Sequence, residues 1–354
     1  MQTLPYSKKN ELLPLAQPGT KRTGSHKGSV RIKPRSIYML SAILAFAIML
    51  SASTLLAGEN RVSVAFLPEL SGTAEALGNG GVFWLGVDMQ IKEGWHIYWR
   101  NPGDSGLPTS IRWEQHSFLK PGDIHWPRPS RFDEDGITTY GYSDRVTLLV
   151  PVLVDRENLP DALAADGGTA HSHTDAAGAG RTSGGNNPDL ALTADINWLV
   201  CKDICLPESA RVSLSISDSG YFEAYSEGGA GQIEHSLTLV PESLPDWQGA
   251  AVLDDGLFTI TLTPATDRGQ VPDLQDVYFY PDRQGQIEHT APQEVSRDGE
   301  RVVISIPVSR YLRNAPETMS GVLYAGESWV RGMDVPAFEI ALPVSEKPGS
   351  GITE

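Results

Sequence analysis

The run VFWLGVDMQI, residues 82–91, sets Phe83, Leu85, Val87, Met89 and Ile91 at every second position, the period of a strand with one face in a core. After Lys92 and Glu93, GWHIYWR (94–100) continues with aromatic residues, and NPGDSG (101–106) supplies turn chemistry. Working outward, RVTLLVPVLV (145–154), LALTADINWLV (190–200) and ARVSLSIS (210–217) read as further strands. A second group lies downstream: LFTITLT (257–263), DVYFYP (276–281), RVVISIPV (301–308), GVLYAG (321–326) and AFEIALPV (337–344). Helical periodicity is scarce, so the expected class is all-β, with two immunoglobulin-like β-sandwich domains after an amino-terminal signal or anchor helix.

The amino terminus explains where the sandwiches go. Lys8, Lys9, Lys21, Arg22, Lys27, Arg31, Lys33 and Arg35 stand against one acid, Glu11, before the uncharged apolar run of residues 36–58. A basic flank ahead of such a run sends the downstream chain across a membrane. Residues 1–58 are therefore read as a basic flank plus a cleaved signal peptide or retained anchor. The expected organisation continues with a first sandwich over 59–218, a linker over 219–249, a second sandwich over 250–345 and a tail over 346–354. Inside the first sandwich, residues 160–189 are rich in Gly, Ala, Ser, Asp and Asn and lack an apolar face, which predicts a disordered insertion. The whole chain of 354 residues carries a formal net charge of −16, and the exported part, without the basic flank, is more acidic still. Such a surface repels phosphate backbones, so nucleic acid is excluded as a partner class.

Three motifs invite chemistry. The GDSG of residues 103–106 looks like a serine-protease nucleophile segment, but the only exported histidine ahead of it is His96, and the plain reading is a turn. His171 and His173 in an HSH triplet offer imidazoles on a Gly-rich stretch, a setting too loose for selective metal binding. The stretch WLVCKDIC, residues 198–205, holds the only cysteines, Cys201 and Cys205, expected to flank a tight turn of Lys202, Asp203 and Ile204. As a staple, so short a ring contributes only about 2 kcal/mol before strain. As a zinc clamp, two thiolates need two more ligands from distant segments. A redox-active pair, a structural disulfide and a metal ligand set remain open on the residues themselves.

Taken in order, GWHIYWRNPGDSGLPT, the Trp126–Pro127 dipeptide, TYGYSD (139–144) and WLVCKDICLPESA resemble the exported amino-terminal region of the DsbD/ScsB family of thiol:disulfide interchange proteins. The resemblance implies a periplasmic immunoglobulin-like domain, tethered to the inner membrane by residues 36–57 if that run is retained, that relays reducing equivalents through Cys201 and Cys205. It implies that Cys205 forms the mixed disulfide, and that Tyr140 and Tyr142 lie in a cap over the pair, with His96, Tyr98 and Trp198 around it. No cofactor is implied. The implied partners are a separate membrane-bound or thioredoxin-like electron donor and periplasmic disulfide proteins as acceptors. Two departures stand out: three residues separate the cysteines, as in the ScsB-like branch, and Thr139 replaces the cap aromatic before Tyr140. The alternative use of the same thiols, with His96 or the His171–His173 triplet as further ligands, is a copper-handling or purely binding module.

Overall fold

The computed structural model describes residues 60–69, 75–76, 80–159, 191–215, 229–243, 247–265, 274–326, 328–329, 334 and 336–347. The expected signal or anchor, the 160–189 insertion with His171 and His173, and the carboxy-terminal tail from 348 lie outside these residues. No helix among the described residues is long and apolar enough to cross a membrane.

The first sandwich packs two sheets. One has the order β1 (Val62–Pro68), β2 (Gly81–Ile91), β8 (Arg145–Val154), β5 (Leu119–Pro121). The other has the order β10 (Cys205–Ser215), β9 (Ala191–Cys201), β3 (His96–Gly103), β7 (Ile137–Ser143), β6 (Ser130–Glu134), with β4 (Ser110–Trp113) also paired to β9. The period-two reading of β2 holds: Phe83, Leu85, Val87, Met89 and Ile91 all lie in the core. They face Leu192, Ala194, Ile196, Trp198 and Val200 of β9 and Ile97 and Trp99 of β3. Because strand side chains alternate, His96 and Tyr98 must leave β3 on the other face. The GDSG stretch forms the turn after β3, with Gly103 at φ 82° and Gly106 at φ 111°.

The second sandwich runs β14 (Tyr278–Pro281), β17 (Thr318–Tyr324), β18 (Ala337–Glu346), β12 (Trp247–Asp254), β13 (Leu257–Pro264), β16 (Arg301–Pro307), β15 (Glu294–Asp298), with β11 (Glu242–Ser243) beside β18. Strand β18 joins the two layers. Its first seven residues pair antiparallel with β17, and Val344–Glu346 pair parallel with β12. Phe258, Ile260 and Leu262 from one layer meet Phe279, Met319, Leu323 and Phe338 from the other.

The segment expected as a linker contains more structure than its composition suggests. Helix α1 (Gly229–Leu239) lies there and seats Ile233 against Leu67 and Leu149, on the outer face of the β1–β2–β8–β5 sheet. Its two glycines and sparse apolar residues hide the helical period, and packing supplies what propensity lacks. Strand β12 likewise begins at Trp247, inside the stretch read as linker.

The two sandwiches share a contact rather than a loose hinge. Tyr280, Val322 and Ala337 of the second extend the core of the first. Asn101 donates to the Pro281 carbonyl at 2.7 Å, Gln284 to the Gly103 carbonyl at 2.9 Å, and Arg100 pairs with Asp282 and Glu339. At the centre, the Tyr140 hydroxyl lies 2.8 Å from both the Tyr278 hydroxyl and His289 Nδ1.

Burial holds His289 below its ordinary pKa of 6.5, against the opposing pull of Asp104 and Glu288. The unfolded chain therefore takes up the proton first. The contribution to stability is complete above about pH 6.5 and is lost as pH falls from there to the lowered folded value. His96, also lowered by burial, adds in the same direction. The expected result is a melting temperature that declines between about pH 7.5 and about pH 5.5, with a smaller decline in His289→Asn. Equal slopes in the two proteins would show that His289 takes no part.

Candidate functional site

Strands β9 and β10 form a hairpin whose last register pair is Cys201 opposite Cys205. Lys202, Asp203 and Ile204 make the connection, as expected, and the Lys202 N–H donates to the Ile204 carbonyl at 3.2 Å. Directly opposed strand residues bring their β-carbons within bonding reach of two sulfurs, and Cys201 and Cys205 are joined as a disulfide. The two ends of that bond differ: Cys201 is 2% exposed, whereas Cys205 is open to solvent. The neighbouring Ile204 is 63% exposed, a large apolar side chain at the hairpin tip.

On the next strand, His96 of β3 pairs with Cys201, so Cys205, Cys201 and His96 form one row across three strands. Two residues along β3 on the same face, Tyr98 turns its hydroxyl to the pair: O–H to Cys201 Sγ is 2.8 Å, and the distance to Cys205 Sγ is 3.6 Å. His96 packs edge-on against Tyr98 and stacks on Phe132 of β6, with ring centroids 4.8 Å apart in the second contact. The close passage of Gly106 completes the enclosure, because a β-carbon there would overlap the Tyr98 ring. Burial lowers the pKa of His96 despite Glu134, which favours the neutral imidazole. Burial, assisted by Glu134, raises that of Tyr98, so its hydroxyl keeps its proton at neutral pH. Lys202 lies with its ammonium over Gly94 in the turn before β3.

Of the residues expected around the pair, His96 and Tyr98 stand beside it. Trp198 packs in the core of the first sandwich, 4% exposed. Tyr140 is fully buried, and its hydroxyl is bonded to Tyr278 and His289 of the second sandwich. Tyr142 is also buried, donating to the Pro127 carbonyl at 2.6 Å. The structure thus commits both hydroxyls of the expected cap to contacts other than the sulfurs.

Phe132 carries no signal of its own in the sequence. The Asp135–Gly136 turn, with φ of 50° and 78°, marks the β6–β7 hairpin locally. Only the non-local pairing of β7 with β3 brings Phe132 to His96. Among the described residues no group of three or more His, Cys, Asp or Glu side chains is arranged to hold a metal ion.

Residues 64–169 match the family described as thiol:disulfide interchange protein DsbD, N-terminal. The cysteine pair lies downstream of that matched stretch. The crystal structure of the N-terminal periplasmic domain of ScsB from Proteus mirabilis is similar with a TM-score of 0.55 at 15% identity, covering 82% of this chain and 96% of that one. At that identity the likeness is one of fold. A protein of unknown function from Porphyromonas gingivalis W83 aligns at 12% identity over 80% of this chain and 100% of that one, with a TM-score of 0.18. No curated protein matches the chain.

Proposed function

With a first sandwich that matches the DsbD amino-terminal family and a fold like that of the ScsB periplasmic domain, we propose that this chain is a periplasmic thiol–disulfide interchange module. Its Cys201–Cys205 pair relays reducing equivalents between a membrane-bound or thioredoxin-like donor and periplasmic disulfide proteins. The 36–57 run exports the domain and either tethers it or is removed.

The asymmetry of the disulfide carries this reading. A donor thiolate reaches the exposed Cys205 sulfur, a mixed disulfide forms there, and Cys201 departs as the thiolate. A second donor thiolate then attacks the donor's own sulfur in the mixed disulfide and releases Cys205, leaving the pair reduced and the donor oxidised. Transfer to an acceptor disulfide runs the same steps in reverse. An inert staple has no need of one sulfur in solvent at a hairpin tip.

The test is trapping. Cys201→Ser leaves Cys205 as the single thiol, and it is expected to accumulate mixed disulfides with periplasmic proteins, identified by mass. Cys205→Ser leaves only the buried sulfur and is expected to trap far less. If neither variant yields an adduct and the native pair stays oxidised in a glutathione-like buffer, the relay is wrong.

A further inference from the structure

We infer that Tyr98 is a catalytic residue of this exchange, its hydroxyl being the hydrogen-bond donor that stabilises the negative charge released on Cys201 when Cys205 is attacked. The inference rests on the exchange reading above but concerns a step that any dithiol can drive, so it can be tested without the natural partners.

The difficulty lies in where the charge goes. When an incoming thiolate bonds to Cys205 Sγ, the Cys201–Cys205 bond breaks and its electron pair leaves on Cys201 Sγ. That sulfur is 2% exposed, so water cannot solvate the new anion. An unsolvated thiolate in apolar surroundings is unfavourable, and its pKa rises. The fold places a donor there in advance: Tyr98 O–H is already 2.8 Å from Cys201 Sγ and 3.6 Å from Cys205 Sγ, nearer the leaving sulfur than the attacked one. A donor fixed where charge develops favours the transition state without reorganisation.

The surroundings hold the hydroxyl in that position. Gly106 closes over the Tyr98 ring, His96 meets its edge at 5.3 Å between centroids, and Gly141 lets β7 come close to β3 behind it. The other titratable groups near the pair supply no substitute. His96, in register with Cys201, is held toward its neutral form by burial; Glu134 of β6 adds negative potential; Lys202 turns its ammonium to Gly94; and Asp203 sits in the exposed loop. In the return direction the same bond keeps Cys201 as a thiolate, ready to attack Cys205 and release a reduced acceptor.

Tyr98→Phe keeps the ring and removes the donor. In a variant with unchanged circular dichroism, reduction of the oxidised pair by dithiothreitol is expected to slow about tenfold. In a Cys205→Ser background, the ultraviolet titration of the Cys201 thiolate is expected to move up by about one pH unit. Incorporation of 3-fluorotyrosine at position 98 retains the shape and acidifies the hydroxyl, so the titration is expected to move down. An unchanged rate together with unmoved titrations in both proteins overturns the assignment. Partner trapping by Cys201→Ser is independent of Tyr98, so it separates failure of this role from failure of the relay.

Discussion

Gly141→Ala is expected to destabilise the first sandwich by about 3 kcal/mol or more, a fall of roughly 6–12 °C in melting temperature. Gly141 sits in the middle of β7, between Tyr98 of β3 and Ser130 of β6. A β-carbon there would overlap the carbonyl oxygen of Ile97 and lie 3.1 Å from the Tyr98 Cα. These are backbone atoms of a central strand, so no side-chain rotation relieves the clash. To make room, β7 must separate from β3, which loosens the sheet at Tyr98, whose hydroxyl bonds Cys201 Sγ. Gly136→Ala provides the comparison. That glycine adopts φ 78° in the β6–β7 turn with open space around it, so only the left-handed conformation opposes a methyl group, at about 1 kcal/mol. Thermal unfolding of the two variants checks the ordering; equal losses would mean that β7 and β3 are not in so close a contact.

Tyr140→Ala is expected to cost about 3–5 kcal/mol, in the range of large aromatic truncations in a core. Tyr140 is fully buried and packs its ring against Tyr278, Tyr280 and His289. Removing it opens a cavity at the contact between the sandwiches and takes from the Tyr278 hydroxyl and His289 Nδ1 a shared partner. Denaturant unfolding measures the loss. The same variant separates two roles for this residue. A lid over the disulfide would speed reduction by small thiols when removed, with little change in stability. A tie between the sandwiches lowers stability and, under conditions where the protein stays folded, leaves the reduction rate near that of the native chain.

Much of the fold was legible from alternation alone. Period-two apolar residues marked β2, β8, β9, β13 and β16, because in a strand the next residue but one shares a face whatever the rest of the chain does. WLVCKDIC was legible as a hairpin tip for a similar reason. Three turn residues between two strand ends force Cys201 opposite Cys205, and no distant contact is needed for that.

Other features had no local signature. TYGY (139–142) and GWHIYWR (94–100) are equally aromatic, and alternation says only that each divides its side chains between two faces. Which aromatic meets the sulfurs depends on strand order. Because β3 lies beside β9, His96 and Tyr98 are next to Cys201, whereas β7 lies one strand further on and meets the second sandwich with Tyr140. Helix α1 forms in a weakly periodic segment because a sheet face waits to be covered. Local alternation and turn chemistry are enough to mark strands such as β2, β8 and β9 and to set Cys201 opposite Cys205, whereas β1, β4, β5, β6 and β15 gave no such local pattern to read. Only the tertiary structure decided which sulfur is buried and which hydroxyl stands against it, because both depend on pairings between strands far apart in the chain.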